Sequence, residues 1–198
     1  MWFFQEITLH PTEEISDSFL MSKVYARLHL ALVKSKDAAG KIRCGLSFPE
    51  YTAEPRSLGR KIRVLTQDEE TLKQMDIPSV LLQFVDGEYA NIAPVHIVPI
   101  RRVKQYAIYS RYQPESSVER KARRYAKRHA ISVEEARGIF PVPTSTESFP
   151  YVRIKSRTTG KNFSLFIQKK LVEIPKNEET DSTFSAYGIS PQQAVPEF

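Results

Sequence analysis

Two hydrophobic periods alternate through the first hundred residues, and their order leaves few folds open. Residues 2–9 are rich in aromatic and β-favouring side chains and read as a strand. Residues 17–34 then change period, with Leu20, Val24, Leu28, Ala31 and Leu32 forming one apolar helical stripe. Residues 41–48 and 60–66 return to strand character, the second alternating Ile62 and Val64 with Lys61 and Arg63. A short helix starts at Asp68, where Asp68, Glu69 and Glu70 crowd the positive end of its dipole. Residues 81–85 close the set as a strand, with residues 95–98 as a further short one. The order β-α-β-β-α-β is the ferredoxin-like pattern. The expectation is an α+β protein whose ferredoxin-like domain spans residues 1–99.

Residues 100–198 differ in texture and read as a smaller α+β domain. A strand over residues 103–109 leads through Pro114 to a basic helix, residues 116–129, opened by a capping box of Ser116 and Glu119. Ser132 and Glu135 repeat that spacing at a shorter helix ending near Gly138. Pro141, Pro143 and Pro150 bracket a polar loop. Residues 151–156 and 163–168 read as a hairpin, residues 177–181 as an acidic loop, and residues 183–189 as a last strand.

Charge is concentrated in one place. Residues 101–128 carry ten Lys or Arg against Glu115 and Glu119, a local charge of +8 in a chain whose net charge is +6. At about 100° per residue, the six cations from Arg120 to Arg128 fall within an arc of roughly 160°. Val118, Ala122, Tyr125, Ala126 and His129 occupy the other side. A merely solvated helix would interleave acids at i,i+4, and only Glu119 does so. A cationic face with an apolar back docks on its domain and presses charge against a polyanion, so nucleic acid is the expected partner. A membrane is not, because Ala122, Tyr125 and Ala126 make a poor wedge and nowhere do eighteen apolar residues run together.

The remaining composition narrows the chemistry. With 41% hydrophobic and 11% aromatic residues the chain is not generally disordered. The single cysteine, Cys44, allows no disulfide and fits a reducing cytosol. The N-terminus lacks a basic region and breaks its apolar run at Gln5-Glu6, so no signal peptide is expected. No metal-ligand spacing, Walker loop or G-x-G-x-x-G is present, and neither a metal nor a cofactor is expected. Chemistry on a nucleic acid without metal favours RNA, whose 2′-hydroxyl is a built-in nucleophile. Reading of single strands on a sheet face is not supported, because Arg43-Cys44-Gly45-Leu46-Ser47-Phe48 does not match the RNA-recognition motif. Of the four histidines, His10, His96 and His129 read as structural. His29, sharing a flank with Met21 and Tyr25, reads on spacing alone as partly buried and structural too.

A set of short stretches changes that last reading: Leu28-His29-Leu30-Ala31-Leu32, Gly45-Leu46-Ser47-Phe48-Pro49, Leu58-Gly59, Arg102-Val103, and Arg123-Arg124 through Lys127-Arg128-His129. They continue with Ser132-Val133-Glu134-Glu135-Ala136-Arg137, Ser156-Arg157-Thr158-Thr159-Gly160, Phe163-Ser164-Leu165-Phe166-Ile167 and Tyr187-Gly188-Ile189-Ser190. In this order, around an arginine-rich helix, they make the chain resemble the CRISPR repeat-cleaving endoribonucleases of type I-F systems, nearly end to end. The resemblance implies a metal-independent enzyme that binds the hairpin of repeat RNA and cuts at the 3′ base of the stem. The products are a 2′,3′-cyclic phosphate and a 5′-hydroxyl, and the enzyme stays on its product with the other subunits of the interference complex.

The resemblance also implies roles. His29 falls on the family's proton-transfer histidine, Ser156 on the serine that holds the 2′-hydroxyl in line, and Tyr187 on the tyrosine that orients the imidazole. Arg120, Arg123, Arg124, Lys127 and Arg128 fall on the phosphate-binding helix. Arg102 falls on the reader of a guanine at the stem base, where its planar fork suits O6 and N7. Phe163 falls on the aromatic under the terminal base pair, and Thr158 is a further hydroxyl contact near the scissile phosphate. Two positions depart from the pattern: Lys104 stands where a glutamine is expected, and Lys127 replaces an arginine. The alternative is a non-catalytic subunit that holds an RNA hairpin without cutting it. Retention of His29, Ser156 and Tyr187 favours the enzyme.

Overall fold

The computed structural model describes residues 1–113, 118–140, 149–156, 159–173 and 182–198. Its contacts divide the chain into two units, residues 1–112 with 149–198, and residues 113–148. The fold is mixed α and β, with antiparallel sheets.

The first unit holds two sheets. One contains β1 (Phe3–Leu9), β2 (Gly45–Ser47), β3 (Lys61–Thr66), β4 (Ala90–Ile92) and β5 (His96–Ile97), in the order β2-β3-β1-β4 with β5 also pairing β1. Its register sets Ile7 opposite Ile62 on one side and Ile92 on the other. The second contains β6 (Gln105–Tyr112), β7 (Tyr151–Lys155), β8 (Asn162–Val172) and β9 (Ala194–Glu197), in the order β7-β8-β6-β9. The expected boundary near residue 99 thus falls where the chain passes from one sheet to the other, whereas its contacts divide at residues 113 and 148. One apolar core joins the sheets, running from Ile7, Val24, Leu28 and Leu46 to Val152, Leu165 and Val195.

Helix α1 (Asp17–Lys34) has the expected bounds. Eighteen residues without Gly or Pro carry a stripe that buries Leu20, Val24, Tyr25, Leu28 and Leu32. Each such side chain contributes about 1.5–3 kcal/mol by leaving water. Helix α2 (Glu69–Met75) starts where the acids are, with the Asp68 carboxylate accepting from the amides of Glu70 and Thr71. Helices α3 (Ile77–Val80) and α4 (Leu82–Asp86) complete the crossover to β4.

Two expectations fail here. Residues 81–85 are not a strand. Leu81 is fully buried and Phe84 is 8% exposed, while Leu82 and Val85 are 55% and 38% exposed, so the inward spacing is helical. A short apolar run cannot distinguish these states without its partners. Nor do residues 183–189 form a strand. They make turns, with one bridge between Phe184 and Ile42, and β9 lies further on. Ser185 and Gly188 hold the turn closed, the Gly188 amide donating to the Ser185 carbonyl at 2.9 Å.

The second unit is a helical pair, α5 (Val118–His129) and α6 (Val133–Ile139). Ala122, Ala126 and Ala136 form its core, with Tyr125 and Phe140 packed against them. The expected capping box of α6 is formed: the Ser132 hydroxyl accepts from the Glu135 amide at 3.1 Å and the Ser132 amide donates to the Glu135 carboxylate at 2.9 Å. The capping box expected at Ser116, the proline-bracketed loop at residues 141–148 and the acidic loop at residues 177–181 lie outside the described residues.

Cys44 is completely buried, and loss of hydration pushes its thiol up to about 12. A thiol reagent at pH 8 should therefore leave the native protein unmodified and label Cys44 only on unfolding. Because the native state holds the proton more tightly, the stability linked to this thiol is complete below the unfolded thiol's ordinary value. It should decline as pH rises from there towards 12, which pH-dependent denaturation checks.

Candidate functional site

Tyr25 and His29 are four residues apart on α1 and so face the same way. They take consecutive carbonyls of one turn. The Tyr25 hydroxyl donates to the Tyr187 carbonyl at 2.7 Å, and His29 Nδ1 lies 2.7 Å from the Ala186 carbonyl. A carbonyl oxygen only accepts, so Nδ1 carries the proton of that bond. In the neutral imidazole the lone pair is then on Nε2, the nitrogen available for proton transfer. Full burial drives the Tyr25 hydroxyl far above the usual tyrosine range, aided by Tyr187, so it remains a neutral donor.

The ring of Tyr187 stacks on His29, centroids 4.8 Å apart and planes within 15°. Phe163 meets Tyr187 edge-on at 6.4 Å, and the Arg111 guanidinium lies 5.6 Å from the Phe163 centroid. All three rings are half-buried. The turn carrying Tyr187 is fixed from several sides: the Tyr187 amide donates to the Ser185 hydroxyl at 3.3 Å, and the Gly188 carbonyl accepts from Leu46 at 2.7 Å. Gly188 has φ +69°, and a Cβ there would stand 2.5 Å from Leu46 Cγ. Only glycine fits that turn.

Ser156 follows β7 and stands in the hairpin turn to β8. Its amide donates to the Lys161 carbonyl at 2.8 Å, and its hydroxyl accepts from the Thr159 amide at 3.2 Å. Helix α1 lies along β7, where the Ser22 hydroxyl accepts from the Arg153 amide at 3.0 Å. Seven helical residues from Ser22 to His29 climb about 10.5 Å. Three strand residues from Arg153 to Ser156 climb about 10 Å. The two elements run in the same direction, since Ser18 and Tyr151 line a cleft at their beginnings. His29 and Ser156 thus both lie beyond the Ser22–Arg153 bond, towards the C-terminal ends of α1 and β7, and Phe163 stands opposite Ile154, two strand residues before Ser156.

The expected binding residues fall into two groups. Arg102 closes a single 3-10 turn (Ile100–Arg102), and Lys104 precedes β6; both are exposed. Arg120, Arg123, Arg124, Lys127 and Arg128 are exposed on α5, with Ala122 and Ala126 buried on its other side. His129, expected on that apolar back, is exposed but stacks on Tyr125 at 4.1 Å. Thr158 lies outside the described residues. Among the described residues no group of three or more His, Cys, Asp or Glu is placed to hold a metal ion, and no helix is long and apolar enough to cross a membrane.

Sequence spacing missed three participants. Tyr25 was visible only as His29's companion at i−4. The Ala186 carbonyl has no side-chain signal. Arg111 reaches Phe163 because β6 and β8 are neighbours, their register setting Arg111 opposite Ile167.

A family model described as "CRISPR-associated protein (Cas_Csy4)" matches residues 4–198. The chain is 33% identical over 201 residues to the CRISPR-associated endonuclease Cas6/Csy4 of Pseudomonas aeruginosa (strain UCBPP-PA14), covering 98% of each chain. It is 29% identical over 199 residues to the CRISPR-associated endonuclease Cas6/Csy4 of Escherichia coli (strain UTI89 / UPEC), again covering 98% of each.

Tyr25→Phe keeps the ring but strands the Tyr187 carbonyl. It should cost about 1–3 kcal/mol in chemical denaturation.

Proposed function

The chain belongs to the Cas_Csy4 family of CRISPR-associated proteins, and from that premise we propose that it is an endoribonuclease that binds the hairpin of CRISPR repeat RNA and cuts at the 3′ base of the stem. The observation that carries this reading is the imidazole of His29, pinned through Nδ1 to Ala186 and stacked on Tyr187. An imidazole so held presents one defined nitrogen, Nε2, for proton transfer at a fixed place.

In the proposed step the 2′-oxygen attacks the adjacent phosphorus, the O2′–P bond forms and the P–O5′ bond breaks. The 2′-oxygen loses a proton and the leaving 5′-oxygen gains one. The products are a 2′,3′-cyclic phosphate and a 5′-hydroxyl. His29 serves one or both proton transfers, worth about 10²–10⁴-fold in rate. Ser156, whose oxygen already accepts from Thr159, keeps its own hydroxyl hydrogen to hold the 2′-oxygen in line. Tyr187 fixes the plane of the imidazole. The nucleophile comes with the substrate and the proton carrier is His29, so the reaction is proposed to need no metal.

For binding, Arg120, Arg123, Arg124, Lys127 and Arg128 on α5 neutralise stem phosphates, with Thr158 adding a hydroxyl near the cut. Phe163 supports the terminal base pair, its ring steadied by Arg111 and Tyr187. Arg102 reads a guanine at the stem base, and Lys104, which cannot pair bidentately with adenine, contributes charge. The strand order β2-β3-β1-β4, with helices in both crossovers, supports a ferredoxin-like arrangement for residues 1–99, leaving residues 100–198 as the RNA-binding half. The protein is proposed to stay on its product as a subunit of a type I-F interference complex in the prokaryotic cytoplasm.

His29→Ala should abolish cleavage of repeat RNA in EDTA while leaving hairpin affinity nearly intact. A single 2′-deoxy residue before the cut should block the wild-type enzyme equally. Binding of the hairpin without cleavage of the unmodified RNA would make the chain a holder and not a cutter. Arg102→Ala should weaken hairpin binding by about 1–3 kcal/mol and relax preference for the base it reads; equal loss on every hairpin sequence would assign it to phosphate.

A further inference from the structure

The alternation of β7 does more than bury Val152 and Ile154. It turns Tyr151, Arg153 and Lys155 outward together, at i, i+2 and i+4 on one face of the strand. Beside them α1 presents Phe19 and Lys23, spaced four residues apart, and these side chains line a cleft of about 570 Å³. No acidic residue lines it. Lys23, Arg153 and Lys155 make no ion pair among the described residues. Two large aromatic rings are left in water, with Phe19 52% and Tyr151 42% exposed. Phe166 props Tyr151 from behind at 5.3 Å, and the Lys23 ammonium lies 4.9 Å from the Phe19 centroid.

Three unpaired cations beside two exposed rings are the chemistry of single-stranded nucleic acid, which needs charge for its phosphates and π faces for its unstacked bases. A protein partner with an acidic surface would take the charge but would have less use for the rings. The cleft also has a direction. Its inner end is Lys155, paired with Asn162, and the next residue is Ser156. From Lys155 back to Tyr151 the strand runs about 13 Å. That is the rise of about four stacked nucleotides, or fewer in an extended strand.

We propose that this cleft between α1 and β7 binds the single-stranded RNA on the 3′ side of the cut, the strand that departs with the 5′-hydroxyl. The inference rests on the proposed cleavage at Ser156 and His29 and extends it, because the stem ends there and the strand beyond the scissile phosphate must leave from Ser156. Lys23, Arg153 and Lys155 hold its phosphates, and Tyr151 and Phe19 stack its bases. The cleft would then discriminate an uncut transcript, which has this tail, from the matured product, which does not.

The test uses the full-length protein and repeat hairpins made uncleavable by one 2′-deoxy residue, either ending at the cut, extended there by about six nucleotides, or extended on the 5′ side instead. The 3′ tail should tighten binding by about tenfold at low salt. The variant Lys23→Ala/Arg153→Ala/Lys155→Ala should bind the tailless hairpin as the wild type does and lose the gain from the tail. Its log K against log salt slope on tailed RNA should fall by about 2, since each single-strand phosphate contact contributes about 0.7. If the triple variant does not fold, Arg153→Gln alone should remove part of the gain. The proposal is overturned by a gain that the variants keep, by a gain confined to the 5′ tail, or by no gain from either tail. Loss of complex assembly in the variant, with RNA affinity unchanged, would overturn it in favour of a protein partner. Wild-type protein that neither binds nor cuts the tailless RNA would instead sink the cleavage reading itself.

Discussion

Two hydrogen bonds tie the site together, those from Tyr25 and His29 to the adjacent carbonyls of Tyr187 and Ala186. They join residues about 160 positions apart in sequence, so neither the helix nor the turn has a site without the other. The Tyr25 end of the first bond is fully buried, His29 is half-buried, and the turn is sealed by Gly188 against Leu46. A buried carbonyl without a donor costs about 1–3 kcal/mol, which penalises any slippage of the turn along α1. The same bond that holds the turn fixes the imidazole tautomer. Stability and the proposed chemistry therefore share atoms here, and a substitution at Tyr25 should disturb both.

The charges serve a different purpose and are distributed accordingly. The basic face of α5 is built on a core of three alanines, which buries little apolar surface and leaves the helix dense in cations. Its self-repulsion is relieved when phosphates replace counterions, so its contribution to binding should be steeply salt-dependent. The first unit pairs several of its own charges. Arg63 meets Glu6 at 2.7 Å and Lys169 meets Glu197 at 2.7 Å, both largely shielded from solvent. Against that background, Lys23, Arg153 and Lys155 stand out beside exposed rings, without an ion pair among the described residues, at the cleft proposed to bind RNA.

Local patterns carried much of the architecture. The long apolar stripe of α1, the acids before α2 and the Ser132–Glu135 box each encode their element within a few residues, and each forms where expected. The failures share one cause. Residues 81–85 and 183–189 are short apolar runs whose state depends on what they pack against, and that information lies elsewhere in the chain. The family's motifs pointed to His29, Ser156, Tyr187 and Phe163, of which the structure brings His29, Tyr187 and Phe163 into contact. Tyr25 and Arg111 were not, since their roles arise from which carbonyl or ring happens to lie across from them.

The sequence by itself determined the inventory: an α+β chain, one cationic helix, and an imidazole, a hydroxyl and two aromatic rings in the motifs of an RNA-processing family. Those properties follow from local periodicity and residue chemistry, which need no knowledge of the fold. Only the tertiary structure decided which nitrogen of His29 is tied up, that Tyr187 stacks on it, and that the strand leading to Ser156 is bonded to the helix that carries His29. Those facts depend on α1 lying along β7 and on a distant turn folding back over it. Such long-range packing is set by the whole core at once and is written in no single segment.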